Sequence, residues 1–74
     1  MSLLKELVKQ DFGITGGGRW WRSELHSSLV VDDEKNKYYF NARDLKGGPV
    51  DYLINIRGYT RESAEEFVRK VGIS

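Results

Sequence analysis

The chain contains no cysteine, and in a protein of 74 residues that absence limits the fold more than any residue present. A domain this small buries only about 60–65% of the surface its unfolded chain exposes. Such thin cores are often stapled by disulfides or zinc. Without cysteine there is no disulfide and no thiolate zinc or redox site, and the single histidine, His26, cannot hold a metal alone. Side-chain packing must therefore hold the fold. The two Trp, four Tyr and three Phe supply the material for it and argue against disorder.

Charge gives no global direction. Twelve Lys and Arg face eleven Asp and Glu, a net of +1. Attraction to nucleic acid or a membrane would have to come from local clustering. Apolar runs are only a few residues long, against about 20 needed to span a bilayer. The opening Met1-Ser2-Leu3-Leu4-Lys5 leads into an amphipathic segment instead of a secretory leader, so a cytoplasmic protein is expected.

Period and punctuation divide the chain. Ser2 is an N-cap candidate for a helix over 2–10, with Leu3, Leu4, Leu7 and Val8 on one stripe and Gly13 beyond its end. Thr15-Gly16-Gly17-Gly18 is expected to form a flexible hinge or a tight turn, within a Gly-rich segment over 14–18. Strands are expected at 19–22, 28–32 and 37–41. The last two flank Asp33-Glu34-Lys35-Asn36, a connector of hairpin length in which Asn36 suits a left-handed position. Alternation puts Leu29, Val31, Tyr38 and Phe40 on one face and Val30 and Tyr39 on the other. Lys46-Gly47-Gly48-Pro49 reads as a break. Pro49 opens a helix carrying Val50, Leu53 and Ile54 that closes at Gly58. Thr60 caps a last helix with Ala64, Phe67, Val68 and Val71 on its stripe and Gly72 at its end.

The expected fold is thus α+β, a single domain over 1–74 in the order α-β-β-β-α-α. A three-stranded antiparallel sheet over 19–46 has helices packed on one face: the first over 1–13, two more over 48–72. The core should comprise Leu29, Val31, Tyr38, Phe40, Leu53, Ile54, Ala64, Phe67 and Val68, closed by Leu4 and Leu7. Tyr52, Ile56 and Tyr59 exceed what one buried stripe needs and could form a partner surface.

The ordered series Ser27-Ser28-Leu29-Val30-Val31, Tyr38-Tyr39-Phe40, Gly47-Gly48, Asp51-Tyr52-Leu53 and Glu62-Ser63-Ala64 resembles the zinc-ribbon domain of bacterial and phage DNA primases. That family carries a Pro-Ser-Phe-x-Val strand, a hairpin, an aromatic strand, a Gly-Gly break and two helices. The resemblance covers about residues 19–71. It places the family's Cys-x-x-His pair on Arg19 and Arg22 and its Cys-x-x-Cys pair on Phe40 and Arg43, with one-residue shifts after Arg43 and after the Gly-Gly pair. None of these is a zinc ligand, and arginine keeps its proton. The resemblance implies a zinc-less variant of the kind found beside Toprim primase modules in phages and mobile elements. Aromatic packing at Phe40 and one Trp would replace the metal, and no cofactor is expected.

Function follows as an expectation. Arg19, Trp20, Trp21, Arg22, Lys37, Tyr39, Arg43 and Lys46 lie on or beside the strands and combine cations for phosphates with rings for bases. They point to a non-catalytic module that guides single-stranded nucleic acid, DNA before RNA, for a primase-like replication protein. The neighbouring acids are Glu24, Asp32, Asp33, Glu34 and Asp44, so six bases and five acids share residues 16–46. Binding requires that they occupy different places. The alternative is a protein-docking domain that has lost both zinc and DNA. An enzyme finds no support, because no nucleophile and base are paired in the sequence. Asp32-Asp33-Glu34 reads as a solvated turn before it reads as a magnesium site. A monomer is expected, with a Toprim, primase or helicase domain as a possible neighbour in the parent protein and no membrane partner.

Overall fold

The computed structural model of the protein describes residues 2–73. Met1 and Ser74, the ends of the expected 1–74 domain, lie outside the described residues. The first helix, α1, runs Leu3–Phe12. Ser2 caps it, its hydroxyl accepting from the Lys5 amide at 3.2 Å, and Gly13 ends it with φ at 77°.

Five strands follow, not three: β1 (Ile14–Gly17), β2 (Trp20–Ser23), β3 (Leu29–Asp32), β4 (Lys37–Phe40) and β5 (Leu45–Gly47). They pair antiparallel in sequence order, a simple meander. The glycine stretch, expected to be a hinge or a tight turn, is a strand, β1, followed by a tight turn at Gly18. Gly17 pairs with Trp20 across a two-residue turn, where Gly18 adopts φ 63°. Glycine at the first central position is what a II′ hairpin turn needs. The expected break at Lys46-Gly47-Gly48-Pro49 begins two residues later, at Gly48, because Lys46 and Gly47 pair with Tyr39 and Tyr38. Asn36 and Asp44 take the left-handed positions of the β3–β4 and β4–β5 turns, with φ 55° and 52°. A short 3₁₀ turn at Asn41–Arg43 fills the second of these.

Pro49 opens α2 (Pro49–Asn55) as expected, and α3 spans Arg61–Ile73, running through the expected stop at Gly72. Between them Gly58 is left-handed (φ 76°), and the Tyr59 amide donates back to the Leu53 carbonyl at 3.0 Å. Thr60 caps α3 by accepting from the Ser63 amide at 3.1 Å.

All three helices lie on one side. α1 crosses β1, β2 and β3, α2 covers β4 and β5, and α3 packs on α2. The core between the layers is Leu4, Leu7, Val8, Leu29, Val31, Tyr38, Phe40, Tyr52, Leu53 and Ala64. Ile54, Phe67 and Val68, expected inside, only half-bury against its margin, and Val71 is exposed. Val8 and Tyr52 take their places. Tyr52 had looked like spare apolar surface, but it is fully buried, edge-on to Tyr38 with ring centroids 5.5 Å apart. Its hydroxyl donates to Asp11 at 2.7 Å. Ile56 and Tyr59 also pack on the core, so little of the expected partner surface remains.

Side-chain bonds tie the two ends of α1 to the rest. At its N-terminus the Ser2 amide donates to Asp33 Oδ1 (2.7 Å) and the Leu4 amide to Asn36 Oδ1 (3.1 Å). Two unpaired helix donors are thereby satisfied by the β3–β4 turn. The Ser2 bonds also hold the Asp33 carboxyl below its ordinary pKa. At the C-terminus Arg57 grips Asp11 with Nε and Nη2, each at 2.9 Å. Among the described residues, no helix is long and apolar enough to cross a membrane.

Candidate nucleic-acid interface

The antiparallel register assigns every strand residue to a face. One face holds Ile14, Trp21, Ser23, Leu29, Val31, Tyr38, Phe40 and Leu45 and meets the helices. The other carries no helix. Its residues form two rows across the strands. One row runs Thr15, Arg22, Val30, Tyr39, Lys46, and the other Gly17, Trp20, Asp32, Lys37.

Of the eight expected site residues, the structure therefore gathers five on this outer face: Trp20, Arg22, Lys37, Tyr39 and Lys46. Trp20 and Tyr39 stand on β2 and β4, two strands apart, yet lean together across Val30 until their ring centroids are 6.3 Å apart. Trp20 is 48% exposed, high for so large an apolar side chain. Arg22, Lys37 and Lys46 surround the two rings, and none has a carboxylate within 4 Å among the described residues.

Arg19 stands at the rim, in the β1–β2 turn. Its Nε and Nη2 donate to Asp32 Oδ1 and Oδ2 at 3.0 and 2.8 Å, and its guanidinium lies 5.0 Å from the centre of the Trp20 ring. Asp32 is fully buried, and its Oδ1 also accepts from the amides of Glu34 and Lys35, each at 3.1 Å. Arg19, with the two amides adding to it, holds the Asp32 carboxyl down at about 2 against the opposing effect of burial. The charge of Arg19 is largely neutralised by this pair, so it braces Trp20 more than it reaches outward.

Trp21 and Arg43 are not on this face. Trp21 points to the helix side, where its Nε1 donates to the Gly18 carbonyl at 3.1 Å and Lys5 Nζ sits 3.8 Å above the ring. Arg43 lies 5.2 Å from the ring of Phe40, itself a core residue. The four positions that the resemblance aligns with zinc ligands do not share a site. Arg19 stands beside Asp32 at one end of the sheet, Arg22 on the outer face, and Phe40 and Arg43 at the other end on the helix side.

The acids lie in turns. Asp33 binds the start of α1, Glu34 approaches Arg19 from the β3–β4 turn, and Asp44 belongs to the turn after β4. Glu24 follows β2, its carboxylate close to Gly13. The near-cancellation read in the sequence is therefore undone in space: Asp32 alone among the acids is on the outer face, and it is paired. The sequence reading missed the Arg19–Asp32 fork, a contact between strands that no local spacing reveals.

Two shallow depressions flank the aromatic pair. One, about 320 Å³, is lined by Thr15, Gly16, Trp20, Trp21, Arg22 and Val30. The other, about 400 Å³, is lined by Lys37, Tyr39, Lys46 and Gly47. Among the described residues no three His, Asp or Glu side chains converge as a metal site would require. His26 packs between Phe12 and Phe40, with centroids 5.0 and 5.7 Å away, as a structural ring. The chain matches no protein-family model, and no curated protein is significantly similar to it in sequence.

Proposed function

We propose that this domain is a non-catalytic module that binds single-stranded nucleic acid on the open face of its sheet. The observation that carries this reading is the segregation of charge: Arg22, Lys37 and Lys46 share the outer face with the exposed Trp20 and the half-buried Tyr39 beside it, while the acids sit in turns or ion pairs. Rings stack on bases regardless of sequence, and the cations track the phosphates. A duplex would present its backbone and hide its base faces, so the aromatic pair favours a single strand. The resemblance to primase zinc ribbons supports a replication protein as parent, with template guidance as the role and DNA as the first polymer to test. The docking alternative loses its main support with Tyr52 buried.

The test is a titration with a short single strand at low salt, followed by tryptophan fluorescence and amide shifts. Quenching of Trp20 and shifts at Arg22, Tyr39 and Lys46 are expected. With three phosphates neutralised, log affinity should fall against log salt with a slope of about −2. Trp20→Ala should weaken binding by ~1–3 kcal/mol while leaving the melting temperature nearly unchanged. No response on the outer face at low salt would overturn the proposal.

A further inference from the structure

The depression beside Trp20 has a different chemistry from the one beside Tyr39. It is lined by the half-exposed Trp20, Arg22 and Thr15, with Thr15 and Arg22 directly paired in the β1–β2 register on the outer face. Neither of these two side chains has a hydrogen-bond partner among the described residues. Gly17, opposite Trp20 on the outer face, has no side chain and open space where one would stand, so a flat ring can approach the indole beside the β1 backbone. The depression beside Tyr39 offers only lysines, which act as point charges.

We propose that the Trp20 depression is a base pocket that selects guanine, with Arg22 as its specificity residue. The inference rests on the strand-binding reading above and extends it from shape to sequence. Stacking on Trp20 alone accepts any base. Selection requires a group that reads an edge. A free guanidinium presents two parallel N–H donors, which match the adjacent O6 and N7 acceptors of guanine. Adenine puts an amino donor where the second acceptor is needed, and thymine and cytosine offer no such pair. Arg19 cannot do this, because its fork is spent on Asp32. The guanine belongs to a strand more than to a free nucleotide. Lys37 and Lys46 in the neighbouring depression supply further cations for the phosphates on either side of that guanine.

The experiment compares oligothymidylates carrying one central guanine, adenine or 7-deazaguanine, together with guanosine monophosphate, by fluorescence titration of the intact chain. The guanine strand should bind at least about tenfold tighter than the adenine strand. The 7-deazaguanine strand, which lacks N7, should lose most of that advantage. Arg22→Lys keeps the charge but not the fork, and should bring guanine and adenine strands to equal affinity while still binding both. Arg22 is exposed, so this variant should melt as the native chain does. Equal affinity for all strands in the native chain would overturn guanine selection while leaving strand binding intact. Failure to bind any strand would overturn the proposed function itself. Guanosine monophosphate binding as tightly as the guanine strand would overturn the assignment to a polymer.

Discussion

Asp32 controls the charge of the outer face. Left free, it would sit between Trp20 and Lys37 and oppose any phosphate; paired with Arg19, it becomes a brace. Its depressed pKa makes a stability statement. The folded carboxyl titrates at about 2, the unfolded one near the ordinary value of about 3.9. The unfolded state therefore takes up a proton first as pH falls. The stabilisation is complete above about pH 4 and is lost as pH drops through 2. A melting series across this range should show an acid limb that Asp32→Asn partly flattens, with a lower melting temperature at neutral pH. Parallel acid limbs in the two proteins would contradict it. Asp33 is shifted in the same direction, so some acid sensitivity should persist in the variant. At this scale the sequence was half legible. Strand alternation alone put Trp20 opposite Trp21 and Tyr39 opposite Tyr38. The Arg19–Asp32 pairing was not readable, because thirteen residues and a strand crossing separate the partners.

The elements divide along the same line. α1, β3, β4, α2 and α3 announce themselves through side chains: apolar stripes, aromatic alternation, caps at Ser2 and Thr60, and Pro49 at a helix start. β1 and β5 do not. In β1 the strand-favouring Ile14-Thr15 is too short to stand out beside Gly16-Gly17, and Leu45-Lys46-Gly47 has little strand propensity; both are strands because neighbouring backbones offer them ladders. Glycine there is a steric requirement as well as punctuation. At Gly16, with φ 138°, a Cβ would lie 2.6 Å from the Trp20 carbonyl oxygen and 3.1 Å from the Trp21 Cα. At Gly18 the conformation is left-handed but the surrounding space is empty. The two positions should therefore respond differently. Gly18→Ala should cost about 1–2 kcal/mol, the left-handed penalty alone. Gly16→Ala should cost more, because backbone atoms must move and β1 must part from β2. Urea unfolding of both variants measures this, and equal midpoints would show that the close approach at Gly16 is not needed. The same comparison bears on function, since β1 forms one rim of the Trp20 depression.

On the scale of the molecule, the question is whether α1 is an appendage or a part of the fold. A flexible hinge at 14–18 would have made it an appendage. Instead, α1 supplies Leu4, Leu7 and Val8, three of the ten buried apolar residues among those described. Burial stabilises by about 1.5–3 kcal/mol for each such side chain. A domain of this kind has only about 5–15 kcal/mol of net stability. Both ends of the helix are also held, by Asp33 and Asn36 at the start and by Arg57 at the close. The sheet is thus sandwiched on one side only, and α1 covers the half that bears β2, the strand of Trp20 and Arg22. Removing residues 1–13 should therefore abolish cooperative unfolding and, with it, strand binding. Leu7→Ala should act as a milder version, costing about 2–5 kcal/mol. In that variant, affinity for a single strand should return to normal once temperature is lowered enough to refold the chain, because Leu7 touches no ligand. Calorimetry and titration on the same samples separate the two effects. A shortened chain that still melts cooperatively would establish 14–73 as the true domain and α1 as a tethered accessory.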